Sequence, residues 1–161
     1  MIKIIFLDID DVLTNEVMWR YKDVNSNHQF DERCVRYLNT LIERTGAVIV
    51  ISSARRMGTT LTEFRKIFKE EGFKGEIIDV TPICEEDHII RGNEIYKWLR
   101  DNEDIYDETY IDYKNYVILD DEDITLSFQK NNFVKVDRFS GLTPDILNDA
   151  INILNKKEIN I

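Results

Sequence analysis

The N-terminal run Ile4-Ile5-Phe6-Leu7-Asp8-Ile9-Asp10-Asp11-Val12-Leu13-Thr14 decides the fold of this chain. An apolar stretch over residues 2–7, broken only by a lysine, ends abruptly in carboxylates. This pattern is typical of a strand buried on both faces of a parallel sheet, with its C-terminal end at a cleft. Because residues two apart in an extended strand face the same side, we expect Asp8 and Asp10 to share one site.

Strand-like and helix-like segments alternate along the rest of the chain. Alternation of this kind favours parallel pairing through right-handed crossovers, and so predicts a three-layer α/β sandwich. No repeat or linker divides the 161 residues, so we predict one domain over 1–161, with a flap or hairpin at about 15–30 and an irregular stretch at 106–115. The further predicted strands are 47–51, 77–80, 116–119 and 133–136. The predicted helices are 31–46, one from Thr59 or Thr60 to Gly72, 89–99, 124–128 and one opened by Thr143-Pro144.

Composition narrows the range of functions. No apolar run approaches the ~20 residues that cross a bilayer, and the N-terminus lacks the features of a secretory signal, so we expect a cytoplasmic protein without a membrane partner. Cys34 and Cys84 are isolated in sequence, which argues against a zinc site or a disulfide framework. The net charge of −10 argues against a broad electrostatic grip on nucleic acid, but a local basic pocket remains open.

Acidic residues end two of the predicted strands. Asp120-Asp121 follow the apolar run over 116–119, as Asp8 and Asp10 follow the first strand. A parallel sheet brings both strand ends to one edge, and clustered carboxylates repel unless a proton or cation lies between them. Ligation by oxygen alone suits Mg²⁺. The alternative is that both are solvated acidic turns.

Hydroxyl and basic residues follow another strand. Ser52-Ser53 come directly after the run over 47–51, followed by Arg55 and Arg56; together they can bind phosphate oxygens, or serve as a helix cap with solvent-facing arginines. Arg91 lies at a predicted helix start, where a cation is unfavourable and an anion should compensate, either a phosphoryl group or a structural carboxylate. Lys97, deeper in that helix, is a second candidate for the same basic role.

Four motifs in this order resemble those of the haloacid dehalogenase superfamily: Asp8-Ile9-Asp10-Asp11-Val12, Ser52, Arg91 and Asp120-Asp121. The match covers residues 2 to about 122. Several phrases also resemble the domain of this type found in Swiss Army Knife RNA repair proteins, namely residues 50–56, 91–95, 118–122 and 141–143. Two positions depart from that pattern: Arg55 stands where Trp is usual, and Asp11 where a small residue, commonly Gly, is usual.

The resemblance implies a phosphoric monoester hydrolase with sheet order 3-2-1-4-5. Neither usual insertion point, after the first motif or between the second and third, has room in this sequence for a large cap domain, so we expect an essentially capless, open site. Asp8 would be the nucleophile that forms an aspartyl-phosphate, and Asp10 the general acid and base. Mg²⁺ would be held by Asp8, the Asp10 backbone carbonyl and Asp121, with Asp120 positioning its waters. The phosphoryl oxygens would be bound by Ser52, Ser53 and Arg91.

An open site of this type implies a bulky phosphorylated substrate, such as an RNA or DNA end or a phosphoprotein. Arg55, Arg56, Arg20, Lys22 and Arg138 are candidates to contact a polynucleotide backbone, and Trp19 and Tyr21 to stack on bases; packing of the flap is the alternative role for the aromatic pair. Other interpretations stay open: a small-molecule or nucleotide phosphatase, and a non-catalytic metal-binding module of the same fold. A receiver-like signalling domain fits poorly, because Thr81-Pro82 follow the third predicted strand, where such a domain carries its phosphorylated Asp.

Overall fold

Five parallel strands form one sheet in the computed structural model, which describes residues 2–102 and 115–156. The strands are β1 Ile4–Leu7, β2 Val48–Ile51, β3 Ile77–Val80, β4 Tyr116–Asp120 and β5 Phe133–Lys135. Their order in the sheet is β3-β2-β1-β4-β5, and each neighbouring pair is parallel. Both the predicted α/β class and the predicted order of strands are confirmed.

Five α-helices and two short 3₁₀ helices accompany the described strands, and the last α-helix follows the last strand. The α-helices are α1 Glu16–Tyr21, α2 Glu32–Thr45, α3 Leu61–Glu70, α4 Arg91–Asp101 and α5 Pro144–Leu154. The 3₁₀ helices are Ala54–Met57, directly after β2, and Ser127–Asn132, directly before β5.

Local sequence signals explain where several helices begin and end. The side chains of Asp31, Thr60 and Thr143 each accept a backbone N–H at the start of α2, α3 and α5, as their residue types favour. Gly46 ends α2 with φ 68°, a left-handed conformation that glycine adopts without strain. These predicted boundaries are therefore confirmed to within one or two residues.

Helices cover both faces of the sheet. Alternate residues of β1 point to opposite sides: Ile5 and Leu7 join the larger apolar cluster with α2, α3 and α5, whereas Ile4 and Phe6 join a smaller one with α4. Every residue of β1 is fully buried. The sheet is thus the middle layer, and polar groups at its C-terminal edge are held by rigid neighbours.

Two local predictions differ from the structure. Residues 15–30 contain the short helix α1 rather than a hairpin, because the Asn15 side chain accepts the Met18 N–H at 2.7 Å and starts a helix. The helix predicted at 124–128 lies instead at Ser127–Asn132, since the Gln129 side chain accepts the Leu126 N–H at 2.8 Å. Most of the irregular stretch predicted at 106–115 lies outside the described residues.

The insertions are small. Between β1 and α2 only α1 and its connections intervene, and between the first 3₁₀ helix and α4 only α3, β3 and loops do. Within the described residues nothing at these two points is large enough to be a cap domain. None of the described helices is long and apolar enough to cross a membrane.

Candidate active site

The register of the sheet brings three polar side chains to the same level. Leu7 of β1 pairs with Ile51 of β2 and with Leu119 of β4. The next residues along these strands are Asp8, Ser52 and Asp120. Because parallel strands end at one edge, the predicted motif residues of three separate segments meet at the centre of the sheet.

Three carboxylates converge at this edge. One oxygen each from Asp8, Asp120 and Asp121 lies within 4.8 Å of the other two, and Asp8 and Asp120 are buried. A set of oxygen donors, with one member half-buried and reachable from solvent, fits a hard cation such as Mg²⁺. The Asp10 carboxylate does not join this cluster.

Arg91 faces the buried carboxylates from the start of α4. Its Nη1 atom lies 3.2 Å from Asp8 Oδ2 and forms a closer ion pair with Asp120 Oδ2. Lys97, the other candidate for this role, pairs with Asp101 on the outer face of α4 at 2.7 Å. The structure therefore brings Arg91, and not Lys97, to the acidic cluster.

Gly92 explains how α4 comes so close to the loop after β4. Its N–H donates to the Ile124 carbonyl at 2.9 Å, and its own carbonyl accepts the Gln129 side chain at 2.9 Å. An added Cβ would lie 2.7 Å from the Leu126 backbone N, closer than real Cβ contacts come. A glycine is needed here for Arg91 to be held against Asp120.

The carboxylates of the cluster hold protons more tightly than ordinary aspartates. Burial raises the pKa of Asp120 to about 6, with the charge of Asp8 adding to the effect and Arg91 opposing it. Burial also raises the pKa of Asp8, against the lowering effect of Arg91. The pKa of Asp121 is raised by burial and by the charges of Asp8 and Asp11. One arginine is too little positive charge for this group, as expected where a cation binds.

Ser52 and Ser53 lie beside the acids, with different surroundings. Both are fully buried. The Ser53 hydroxyl accepts the Arg55 N–H at 3.3 Å and caps the first 3₁₀ helix. The Ser52 hydroxyl has no hydrogen-bond partner among the described residues. An orphaned buried hydroxyl is costly, so Ser52 is the donor that a bound ligand would satisfy.

Asp10 is held by Arg55 at the mouth of the site. The Arg55 Nη2 atom donates to Asp10 Oδ1 at 2.6 Å, and Nε donates to Oδ1 and Oδ2 at 3.0 and 3.1 Å. Asp10 is therefore not one of the three clustered carboxylates, and its partner is Arg55, a candidate substrate contact from the sequence.

Arg56 is placed differently from Arg55. Its five N–H donors are all used internally: the carbonyls of Ser52, Ser53, Thr81 and Pro82 accept four, and the Glu94 carboxylate forms an ion pair with the fifth. The side chain is 3% exposed. A contact between Arg56 and substrate would break these bonds, so the structure favours a structural role over the expected contact.

Glu94 was not singled out from the sequence. One of its carboxylate oxygens forms the ion pair with Arg56, and the other accepts the Cys84 N–H at 3.1 Å. Glu94 therefore links α4 to the segments that follow β2 and β3. The sequence does contain an indication of this role, because Glu94 lies next to Ile95 on the apolar side of the predicted helix. Buried acids of this kind need a partner, and Arg56 supplies it.

Asp11 adopts a left-handed backbone, with φ 61°. This conformation explains why a small residue, commonly Gly, is usual at this position of the motif. Asp is one of the few other residues that tolerate it, and the Asp11 N–H donates to Thr14 Oγ1 at 3.0 Å, which closes the turn. The departure at position 11 is thus compatible with the turn that follows Asp10.

The flap, residues 15–30, carries exposed aromatic and basic side chains. Trp19 is 55% and Tyr21 81% exposed, and α1 has no buried residue, so the alternative that this pair packs the flap is not what the structure shows. Lys22 lies over the Trp19 ring, 5.1 Å from its centre, and Arg20 lies over Phe139 at 5.6 Å. The Nη2 atom of Arg138 lies 4.0 Å from Oδ2 of Asp11.

Sheet order, acidic cluster and facing arginine are together typical of a domain of the haloacid dehalogenase type. A scan against family models matches residues 4–146 to the family described as the HAD domain in Swiss Army Knife RNA repair proteins. The chain belongs to this family. Searches of the curated proteins and of the solved structures found no match to this chain.

Proposed function

We propose that the protein is a Mg²⁺-dependent phosphatase that hydrolyses a phosphomonoester through an aspartyl-phosphate at Asp8. The observation that carries this proposal is the cluster of Asp8, Asp120 and Asp121 facing Arg91 at the end of β1. An anionic nucleophile, a cation site and a phosphate-binding guanidinium are the parts that phosphoryl transfer requires. Membership of the family supports the same class of chemistry.

The site residues divide the reaction into two displacements. An Asp8 carboxylate oxygen forms a bond to phosphorus while the bond to the leaving oxygen breaks, and Asp10 donates a proton to that oxygen. Asp10 then takes a proton from water, which attacks phosphorus, releases inorganic phosphate and restores Asp8. When bound, Mg²⁺ offsets the repulsion between the anionic nucleophile and the anionic ester. Ser52 and Arg91 donate to the phosphoryl oxygens, where charge spreads in the transition state.

The exposed side chains beside the site favour a polynucleotide end as the substrate. Trp19 and Tyr21 present rings that can stack on bases, and Arg20, Lys22 and Arg138 supply local positive charge in a chain of net charge −10. The absence of a cap at the two described insertion points leaves room for a substrate larger than a metabolite.

The substitution Asp8→Asn tests the covalent mechanism. The amide is nearly the same shape but a poor nucleophile, so we expect phosphatase activity toward p-nitrophenyl phosphate to fall by at least about a thousand-fold. Thermal unfolding without metal should be unchanged or shifted upward, because one of three repelling carboxylates is removed. Turnover near that of the unsubstituted protein would contradict the mechanism.

Asp123→Asn is the matched control. Asp123 belongs to the same acidic run but lies outside the carboxylate cluster, where it pairs with Lys130 on the surface. Its loss should leave turnover unchanged. Acid-quenched protein analysed by mass spectrometry should carry phosphate when Asp8 is intact and none in the Asp8→Asn variant.

A substrate screen with Mg²⁺ separates the polynucleotide hypothesis from its alternatives. The panel contains 3′- and 5′-phosphorylated oligonucleotides, mononucleotides and phosphopeptides. Preference for an oligonucleotide end supports the proposed substrate. Activity confined to mononucleotides would show a nucleotide phosphatase instead, and no turnover of any substrate despite Mg²⁺ binding would show a non-catalytic module.

A further inference from the structure

Three arginines around the site differ in how freely they can change partners. The Arg56 side chain is 3% exposed and has every donor bonded internally. Arg91 is 15% exposed and lies between Asp8 and Asp120. Arg55 is 31% exposed, and its bonds within the described residues go to one carboxylate, that of Asp10, which is itself 53% exposed.

The pair between Arg55 and Asp10 is therefore an ionic contact beside the site that solvent and ligands can reach. Water screens such pairs, so an incoming anion competes for the guanidinium at small cost. Arg55 presents a planar fork, which binds a phosphate as readily as a carboxylate. Ser53, whose hydroxyl accepts the Arg55 N–H, fixes the backbone from which this fork extends.

We propose that Arg55 is a specificity-determining residue that couples substrate recognition to the release of Asp10. In the free protein it holds the Asp10 carboxylate away from the acidic cluster. A second anionic group of the substrate, next to the phosphate that is hydrolysed, takes the fork of Arg55, and Asp10 is then free to act as acid and base. This inference rests on the proposed function and adds to it a requirement for a substrate with two neighbouring phosphates.

In a polynucleotide end the second anion is the phosphodiester that precedes the terminal phosphate. Mononucleotides and p-nitrophenyl phosphate have none, so with them Arg55 stays on Asp10 and turnover is slow. The coupling thus favours a chain end over a mononucleotide without any contact to a base. It also gives a role to Arg55, the residue that departs from the Trp usual at this position.

The test combines one substitution with one change in the substrate. The substrates are a dinucleotide with a terminal phosphate and the same dinucleotide with a neutral methylphosphonate in place of its phosphodiester, each made with the phosphate at the 3′ or the 5′ end. In the unsubstituted protein, neutralising the linkage should lower kcat/KM about ten-fold, as loss of a charge-assisted contact does. In Arg55→Gln the two substrates should differ by less than about two-fold.

For Arg55→Gln, turnover of p-nitrophenyl phosphate should change in the direction opposite to turnover of the phosphodiester substrate. Because Arg55→Gln frees Asp10, its kcat with this substrate should exceed that of the unsubstituted protein, while kcat/KM for the phosphodiester substrate falls; an unchanged kcat would contradict the release of Asp10. Arg55→Lys keeps the charge but not the fork and should retain part of the discrimination. Arg44→Gln, an exposed arginine at the opposite end of the sheet, is the control and should change neither value.

Two results would overturn the proposal. One is an equal loss for both dinucleotides in Arg55→Gln; the other is a matching fall with p-nitrophenyl phosphate, which would mean that Arg55 positions Asp10 for catalysis. Binding of the two dinucleotides to the Asp8→Asn protein, measured by titration calorimetry with and without Arg55→Gln, tests the contact without turnover. Absence of phosphatase activity would therefore defeat the proposed function, and a binding preference that does not depend on Arg55 would defeat this inference.

Discussion

The Ser52 hydroxyl is the polar group in the described site that most needs a ligand. It is fully buried at the end of β2 and unpartnered within the described residues. We expect Ser52→Ala to leave the free energy of unfolding unchanged or slightly higher, because it removes an unsatisfied hydroxyl. Phosphatase activity should fall about 100-fold, as it does when one donor to a developing anion is lost.

Ser53→Ala serves as a comparison for Ser52→Ala. Urea unfolding and kcat/KM are measured for both variants. Ser53 caps the 3₁₀ helix through the Arg55 N–H, so its loss should lower stability by about 1 kcal/mol. A loss of stability in Ser52→Ala with activity retained would mean that the Ser52 hydroxyl has a structural partner instead of a ligand.

The conformation of Asp11 allows a test of the turn that follows Asp8 and Asp10. Its φ of 61° disfavours side chains branched at Cβ. We expect Asp11→Val to lower the free energy of unfolding by about 1–2 kcal/mol, and Asp11→Gly to keep or raise it. Urea unfolding of both variants checks this. Equal stability of the Val and Gly variants would show that the turn does not need a left-handed residue.

At the scale of elements, the ion pair between Arg56 and Glu94 holds α4 in place. It links the chain after β2 to the helix that carries Arg91, and its side chains are 3% and 10% exposed. Removing one partner leaves a buried charge uncompensated, so Glu94→Ala should lower stability by about 3–5 kcal/mol. Replacing both, as in Arg56→Met with Glu94→Leu, should cost less than Glu94→Ala alone.

The exposed pair Lys66 and Glu70 on α3 serves as the reference for this prediction. Its atoms lie 3.9 Å apart and both side chains are largely exposed, so Glu70→Gln should give no measurable change in urea unfolding. A Glu94→Ala variant as stable as Glu70→Gln would show that α4 does not depend on the buried pair.

The sequence was informative about elements because the sheet is parallel and buried. Short apolar runs located all five described strands to within about two residues, and the acids directly after two of them located one edge. Contacts among long side chains were not predictable in this way. Arg55 and Arg56 are neighbours of identical type, yet one reaches Asp10 and the other Glu94, because successive residues of a 3₁₀ helix point about 120° apart. Sequence spacing alone does not indicate that turn.

At the scale of the whole molecule, we expect the acidic cluster to make stability depend on pH and on Mg²⁺. The pKa of Asp120 is about 6, above its ordinary value of 3.8. Between these two pH values, Asp120 therefore keeps its proton in the native protein but has lost it in the unfolded chain. Without metal, the free energy of unfolding should fall as pH rises from about 4 to about 6.

Mg²⁺ should reverse this trend, because it binds the deprotonated cluster and competes with protons. We expect the rise in Tm between EDTA and saturating Mg²⁺ to be larger at about pH 7.5 than at about pH 5. Differential scanning calorimetry at both pH values measures it, with the Asp121→Asn variant as a control that should lose most of the shift. A shift of equal size at both pH values would mean that the metal does not bind these carboxylates.

The base of the flap is closed by its own hydrogen bonds. The Asn15 side chain donates to Asp31 at 2.8 Å, and the Asp31 N–H donates to the Leu13 carbonyl at 2.7 Å, so the chain leaves and rejoins the core at one point. A segment tethered like this can change in length and composition while the core keeps its shape. The flap is thus an exchangeable module, a place where a different loop can be grafted onto an unaltered sheet and helices.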